Sequence, residues 1–224
     1  MSREKDMKRV LVVAAHPDDE ILGIGGTIAK HVQQGDVVRS VVMCEGESLR
    51  YGEDVGQNSA MKKAAEILGV EKIEHLNFPD QRLDTYTLTE IIKPLEKISE
   101  EFKPNIIYCQ YGGDANLDHK LLFEAANIAF RPIDLWVEEV YAFYTLSSTE
   151  WAYPRTFEPN VWVDITDTFN QKIEAISCYK SEIRKYPHPR SIQAIENAAG
   201  FFGNMCCMEK AEPFILIRKT VRGK

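Results

Sequence analysis

No run of about 18 apolar residues occurs anywhere in this 224-residue sequence, so no stretch of it suits a transmembrane helix. The first nine residues, MSREKDMKR, place charges where a secretory leader needs an apolar core, so no leader and a cytoplasmic location are expected. The five cysteines include no C-x-x-C spacing. Cys44 and Cys109 lie in apolar runs, Cys178 in a helical pattern, and Cys206 and Cys207 are adjacent, which reads as reduced core thiols. No compact basic tract offsets the formal net charge of −7, which would repel nucleic-acid phosphates and anionic lipid. The expected partner is a small molecule, with no nucleic acid and no stable membrane association. Internal repeats and low-complexity tracts are absent too. A chain of this length with 44% hydrophobic and 27% charged residues can bury one full core, so a single domain over residues 1–224 is the default.

What the sequence does have is an alternation of short apolar runs with helix-spaced patterns. Residues 9–15, RVLVVAA, form a valine-rich run of the kind buried on both faces of a parallel sheet. A helical pattern over 21–34 ends at Gly35, a strand is expected over 37–44, and a polar loop over 45–56 leads to a helix over 57–68 closed by Gly69. Further strands are expected at 73–76, 105–109, 140–144, 161–163 and 214–217, and further helices at 88–102, from about 118, at 165–179 and at 191–205. This order predicts an α/β fold with a Rossmann-like, mostly parallel sheet flanked by helices, and a ligand site beyond the carboxyl ends of the strands.

Two clusters fall at that edge. The turn after the first strand reads Ala15-His16-Pro17-Asp18-Asp19-Glu20, one imidazole beside three carboxylates. Packed anions repel one another unless a cation neutralises them, and a divalent metal is a common one. His16 and Asp19, three apart around a proline-fixed turn, can reach one ion. The second cluster follows the strand at 105–109: GGDANLDH ends in Asp118 and His119. Two nitrogens and one carboxylate with an open position for water make a frequent catalytic zinc arrangement, and His119 completes that set. The bland alternative is that Asp18, Asp19 and Asp118 merely cap helices. It leaves His16, Glu20 and the pairing of the clusters unexplained.

AHPDDE after the first strand, followed by a D-H pair opening a later helix, resembles the LmbE-like, or PIG-L, N-acetylglucosaminyl deacetylases. Weaker similarity continues through FPDQRLD at 78–84, SSTEW at 147–151 and PHPRS at 187–191, and so covers most of the chain. The resemblance implies one zinc ion per chain on His16, Asp19 and His119, with Asp18 as the general base that takes a proton from zinc-bound water. It implies an N-acetylated amino sugar or a conjugate as substrate, and homo-oligomers are frequent in the family. Asp118 is expected beside the ligands, supporting them without touching the metal. One position departs from the family: many members have a histidine three residues before the second ligand histidine, where this chain has Asn116. Asparagine can donate a hydrogen bond to an oxyanion but cannot act as a general acid. His188, within PHPRS, is the replacement acid to be tested.

Substrate contacts are expected from Arg50, in the loop after the second strand, and from Asp80 and Arg82 in FPDQRLD, at the rim of the pocket. His31 and His75 lack carboxylate companions in sequence and read as structural. Gly23, Gly25 and Gly26 come too late after the strand for a dinucleotide turn. The aromatics Trp151, Tyr153, Phe157 and Trp162 read as core more readily than as a sugar platform. Two other functions remain: a two-metal phosphoesterase, and a sugar-binding member of the family that has lost the reaction.

Overall fold

The computed structural model describes residues 7–52 and 55–223. Seven strands and six α-helices among these residues alternate as β1 (Arg9–Ala14), α1 (Asp19–Gln33), β2 (Val37–Cys44), α2 (Gln57–Leu68), β3 (Lys72–Phe78), α3 (Leu88–Phe102), β4 (Ile106–Gln110), α4 (Leu117–Ala129), β5 (Glu139–Phe143), β6 (Val161–Asp164), α5 (Phe169–Ile176), α6 (Ile192–Asn204) and β7 (Ala211–Lys219). The strands form one sheet in the order β3-β2-β1-β4-β5-β7-β6. The first five in that order run parallel, and β7 is antiparallel to both of its neighbours. No described helix is long and apolar enough to cross a membrane.

Strand β1 shows why the sequence needs helices on both faces. Its side chains alternate: Val10 and Val12 pack with α1, α2, α5 and α6, while Leu11 and Val13 pack with α3 and α4. The result is a three-layer sandwich with two apolar cores. The chain steps outward from β1 to β2 and β3, then returns to β4 on the other side of β1. That reversal opens a crevice between the carboxyl ends of β1 and β4.

The glycines of α1 are explained by close packing. A Cβ on Gly23 would lie 2.4 Å from Phe143 Cδ2, and one on Gly26 would lie 2.8 Å from Ile165 Cβ. They let the helix lie tightly on β5 and the segment after β6, and no dinucleotide turn is involved. Two expected elements differ by more than two residues at an end. Helix α5 starts at Phe169, four residues after the expected start, because the Thr168 N–H bonds back to the Ile165 carbonyl in a turn. Strand β7 is nine residues long; its extra length carries Glu212, Arg218 and Lys219, whose charges mask the strand pattern.

Candidate functional site

The crevice between β1 and β4 gathers the two clusters. His16 and Asp18 lie in the turn from β1 into α1, Asp19 opens α1, and His119 lies in the first turn of α4. Asn116 is the N-cap of α4, its Oδ1 accepting the Asp118 N–H at 2.8 Å, so this residue sets where Asp118 and His119 begin. Asp118 is therefore not the cap. Nor does Asp18 cap α1: it makes no capping hydrogen bond and sits at φ +102°, a left-handed conformation that costs a non-glycine residue about 1 kcal/mol or more. The helix-capping account fails for both aspartates.

His16 Nδ1, Asp19 Oδ2 and His119 Nε2 form a small triangle. The edges are 3.3 Å from His16 to Asp19, 3.1 Å from His119 to Asp19 and 3.3 Å between the two ring nitrogens. All three residues are buried. Ligand atoms placed tetrahedrally at zinc–nitrogen and zinc–oxygen distances of about 2.0–2.1 Å stand about 3.3 Å apart, so these three atoms fit a zinc ion.

Each ring has a carboxylate behind it, hydrogen-bonded to His16 and within ion-pair distance of His119, the arrangement that orients metal-facing imidazoles. Asp118 Oδ2 lies 3.0 Å from His16 Nε2, and Asp114 Oδ1 lies 3.2 Å from His119 Nδ1. Asp114 in turn accepts from the Ser148 and Thr149 hydroxyls and from the Asn116 N–H. Asp19 Oδ2 also accepts from the His16 N–H and, at 3.0 Å, from Gln110 Nε2 at the end of β4. Burial alone would lower the His119 pKa, but Asp19 and Asp114 outweigh it and push it up to about 10. The same two histidines hold Asp19 well below the usual carboxylate range despite its burial.

A second grouping, His16 with Cys44 and Asp118, also clusters ligand-type atoms. Burial, followed by the Asp118 charge, pushes the Cys44 thiol above its ordinary range, and its Sγ donates to Asp118 at 3.6 Å. It is a neutral thiol that shares His16 with the first triangle, and a poor metal ligand.

Asp18 is 1% exposed and faces Arg190, whose Nη1 donates to Oδ2 at 2.8 Å. Burial raises the Asp18 pKa, Arg190 opposes it, and Asp19, Glu182 and Glu20 push it further up. Glu20 reaches about 7 through burial, with Tyr179 donating to it at 3.0 Å.

The other expected residues are placed as follows. Arg50 leans on Glu182, with Nη1 3.5 Å from Oε2. Arg82 is exposed at the same edge. Asp80 is not on the rim: it is completely buried, with Oδ1 3.5 Å from His16 Nε2, and so stands behind that ring beside Asp118. The physical reason is the turn after β3, which is pinned by the Asp80 N–H on Glu45 and by the Leu83 N–H on Asp118. His188 accepts the Arg190 N–H at 3.1 Å on Nδ1 and meets Trp151 edge-on. Burial and then two arginines lower its pKa. Asn116 Nδ2 donates to Gln81, whose amide reaches to 3.0 Å from His16 Nε2. His31 pairs with Asp36 at 2.7 Å, and His75 bonds the Cys44 carbonyl, as structural histidines do.

The sequence reading missed Asp114, Gln110, Glu182 and Arg190 as parts of the site. Asp114 lies inside the quoted GGDANLDH and Arg190 inside PHPRS, so both motifs carried the signal. Glu182 carried none.

Comparison with known proteins adds to this geometry. The family model PIG-L, described as GlcNAc-PI de-N-acetylase, matches residues 11–130. The chain is 30% identical over 187 residues to the uncharacterized deacetylase YaiS of Escherichia coli, covering 81% of this chain and 95% of that one. It is 31% identical over 191 residues to the diacetylchitobiose deacetylase of Thermococcus kodakarensis, with 79% of this chain and 71% of that one covered. A 4-oxalmesaconate hydratase of Pseudomonas putida is 30% identical over 198 residues, 76% of this chain and 72% of that one. Among solved structures, the conserved protein TT1542 from Thermus thermophilus superposes with TM-score 0.80 over 97% of this chain and 98% of that one; at 24% identity this speaks to the fold alone. The N,N'-diacetylchitobiose deacetylase from Pyrococcus horikoshii gives TM-score 0.78 at 25% identity, covering 95% of this chain and 84% of that one. With the family model spanning more than half of its length, the chain belongs to the PIG-L, or LmbE-like, family of de-N-acetylases.

Proposed function

We propose that the protein is a zinc-dependent deacetylase that hydrolyses the N-acetyl group of an amino sugar or an amino-sugar conjugate, releasing acetate and the free amine. The observation that carries this reading is the buried triangle of His16 Nδ1, Asp19 Oδ2 and His119 Nε2, with edges of 3.1–3.3 Å. These three residues would hold the zinc. When bound, zinc supplies acidification of a water molecule and polarisation of the amide carbonyl.

Asp18 is the base in this scheme. Its Oδ2 is held by Arg190, which leaves Oδ1 to accept the proton of the attacking water and return it to the departing amine. Asn116 keeps Oδ1 on the helix cap, so Nδ2 is the group that can turn to a substrate oxygen. His188, whose Nδ1 accepts the Arg190 backbone N–H, is the alternative proton donor. Arg50 and Arg82, both exposed, are available to an anionic or hydroxylated part of the substrate.

The two-metal phosphoesterase reading lacks support, because the second grouping among the described residues reuses His16 and relies on a protonated thiol. The hydratase relative makes acetate release the deciding readout. Metal-free protein reconstituted with one equivalent of zinc is expected to release acetate from N-acetylglucosamine or diacetylchitobiose. Asp18→Asn should keep its zinc and lose about 10²–10⁴-fold in rate, and His119→Ala should lose both. A zinc-loaded protein that releases no acetate from a panel of N-acetyl sugars overturns the reading. An unchanged pH–rate profile in His188→Gln removes that residue from proton transfer.

A further inference from the structure

The turn that carries Asp18 leaves its side chain without a helix end to rest on. Asp18 precedes α1 in a left-handed conformation and makes no capping hydrogen bond, so its carboxylate orientation must be fixed by another group. Arg190 is that group. Its Nη1 donates to Asp18 Oδ2 at 2.8 Å and also to Glu182, while its Nε donates to Ser147 Oγ at 2.6 Å. Glu182 is 2% exposed and is itself seated by Tyr51 Oη at 2.6 Å and Gln57 Nε2 at 2.8 Å.

Four segments meet in this network: the β1–α1 turn, the β2–α2 loop with the first residue of α2, the β5–β6 loop and the α5–α6 loop. Only a planar guanidinium offers fixed, divergent donors that can address two carboxylates and a hydroxyl at once. The side chain of Arg190 is 13% exposed against 1% for that of Asp18, which puts it in the wall of the crevice and not in the core.

We propose that Arg190, seated by Glu182, is a positioning residue: it holds Oδ2 of Asp18 so that Oδ1 faces the ligand triangle. This rests on the reading of Asp18 as the general base. Arg190 touches none of the three triangle residues, and Glu182 keeps Tyr51, Gln57 and Arg50 as partners when Arg190 is lost, so the group that loses its anchor is the base. A misplacement of about 1 Å near a reacting group costs about 10²-fold in rate.

The test is made on zinc-loaded enzyme. Arg190→Ala is expected to keep one zinc per chain and a KM within about threefold of wild type while kcat falls about 10²-fold. Added guanidinium, below concentrations that unfold the protein, should restore at least a tenth of the lost rate where equal sodium chloride does not. Arg190→Lys should fall between wild type and Arg190→Ala, because one ammonium cannot keep all three contacts. If Arg190→Ala does not fold, as melting and zinc content would report, Arg190→Lys carries the test and must keep zinc and KM with at least a tenfold loss in kcat. A wild-type rate in Arg190→Ala, a loss confined to KM, or no rescue by guanidinium overturns the clamp alone. An inactive wild type takes away the deacetylase reading and the clamp with it.

Discussion

His119 sits between Asp19, 3.1 Å from Nε2, and Asp114, 3.2 Å from Nδ1, in a site that water barely reaches. The ring is pushed up to about 10 from 6.5, so in the metal-free protein it carries a proton at neutral pH. A metal on Nε2 must displace that proton, and because the burial of His16 is outweighed by Asp118 and Asp19, which raise its pKa as well, binding near neutral pH is expected to release at least one proton per chain. Calorimetry in buffers of different ionisation enthalpy measures it, and a heat independent of buffer would contradict the assignment. The folded-state value lies above the ordinary one. Its contribution to the stability of the metal-free chain is therefore full below about pH 6.5 and disappears as pH rises through about 10. Asp114 has a separate effect, because it orients the ring. Asp114→Asn is expected to weaken zinc binding by about 10–100-fold with little change in fold, as a competition titration against a chelator would show.

Helix α1 brings Asp19 and Glu20 to the crevice, and a buried pair on the far side of that helix fixes its height. Lys172 Nζ lies 2.6 Å from Glu212 Oε1 and donates to the Leu22 carbonyl at 2.8 Å. Glu212 accepts from the N–H groups of Gly26 and Thr27 at 2.9 and 2.7 Å. Both side chains are buried, so the pair is bonded to the helix backbone as well as to each other. Lys172→Ala would strand a buried carboxylate and is expected to cost about 3–5 kcal/mol in urea unfolding. A loss below about 1 kcal/mol would show that α1 is held by its apolar face alone. Other elements carry their own punctuation. Thr87 caps α3 in a reciprocal capping box with Glu90, and Gly69 closes α2 at φ +75°.

The whole molecule joins the parallel part of its sheet to the site through one reversal of strand order, between β1 and β4. The residues of the triangle come from opposite sides of that reversal, His16 and Asp19 after β1 and His119 after β4. A metal held by this triangle would link segments about 100 residues apart in sequence, and would bind the folded chain alone. At a free concentration about 100 times its Kd, zinc should add about 2.7 kcal/mol. Its removal by a chelator is then expected to lower Tm by roughly 5–10 °C for a chain of this size. Equal melting curves with and without metal would count against the triangle as a metal site.

Local chemistry made much of this protein legible. The spans 37–44, 57–68 and 88–102 were readable to the residue, since hydrophobic period and flanking glycine, threonine or polar residues mark such ends within a few positions of the chain. That His16, Asp19 and His119 would meet was readable because a proline-fixed turn and a helix start put their side chains at a predictable sheet edge. What the tertiary structure decided lies between segments. Arg190 reaches Asp18 across 172 positions, and Lys172 reaches Glu212 across 40. Asp80 reads as a rim residue by composition yet is buried behind His16. No local pattern encodes such pairings: a charged residue in a polar loop looks the same whether it meets solvent or a distant carboxylate. Only packing the loops over the crevice removes the water that would otherwise make the two alike.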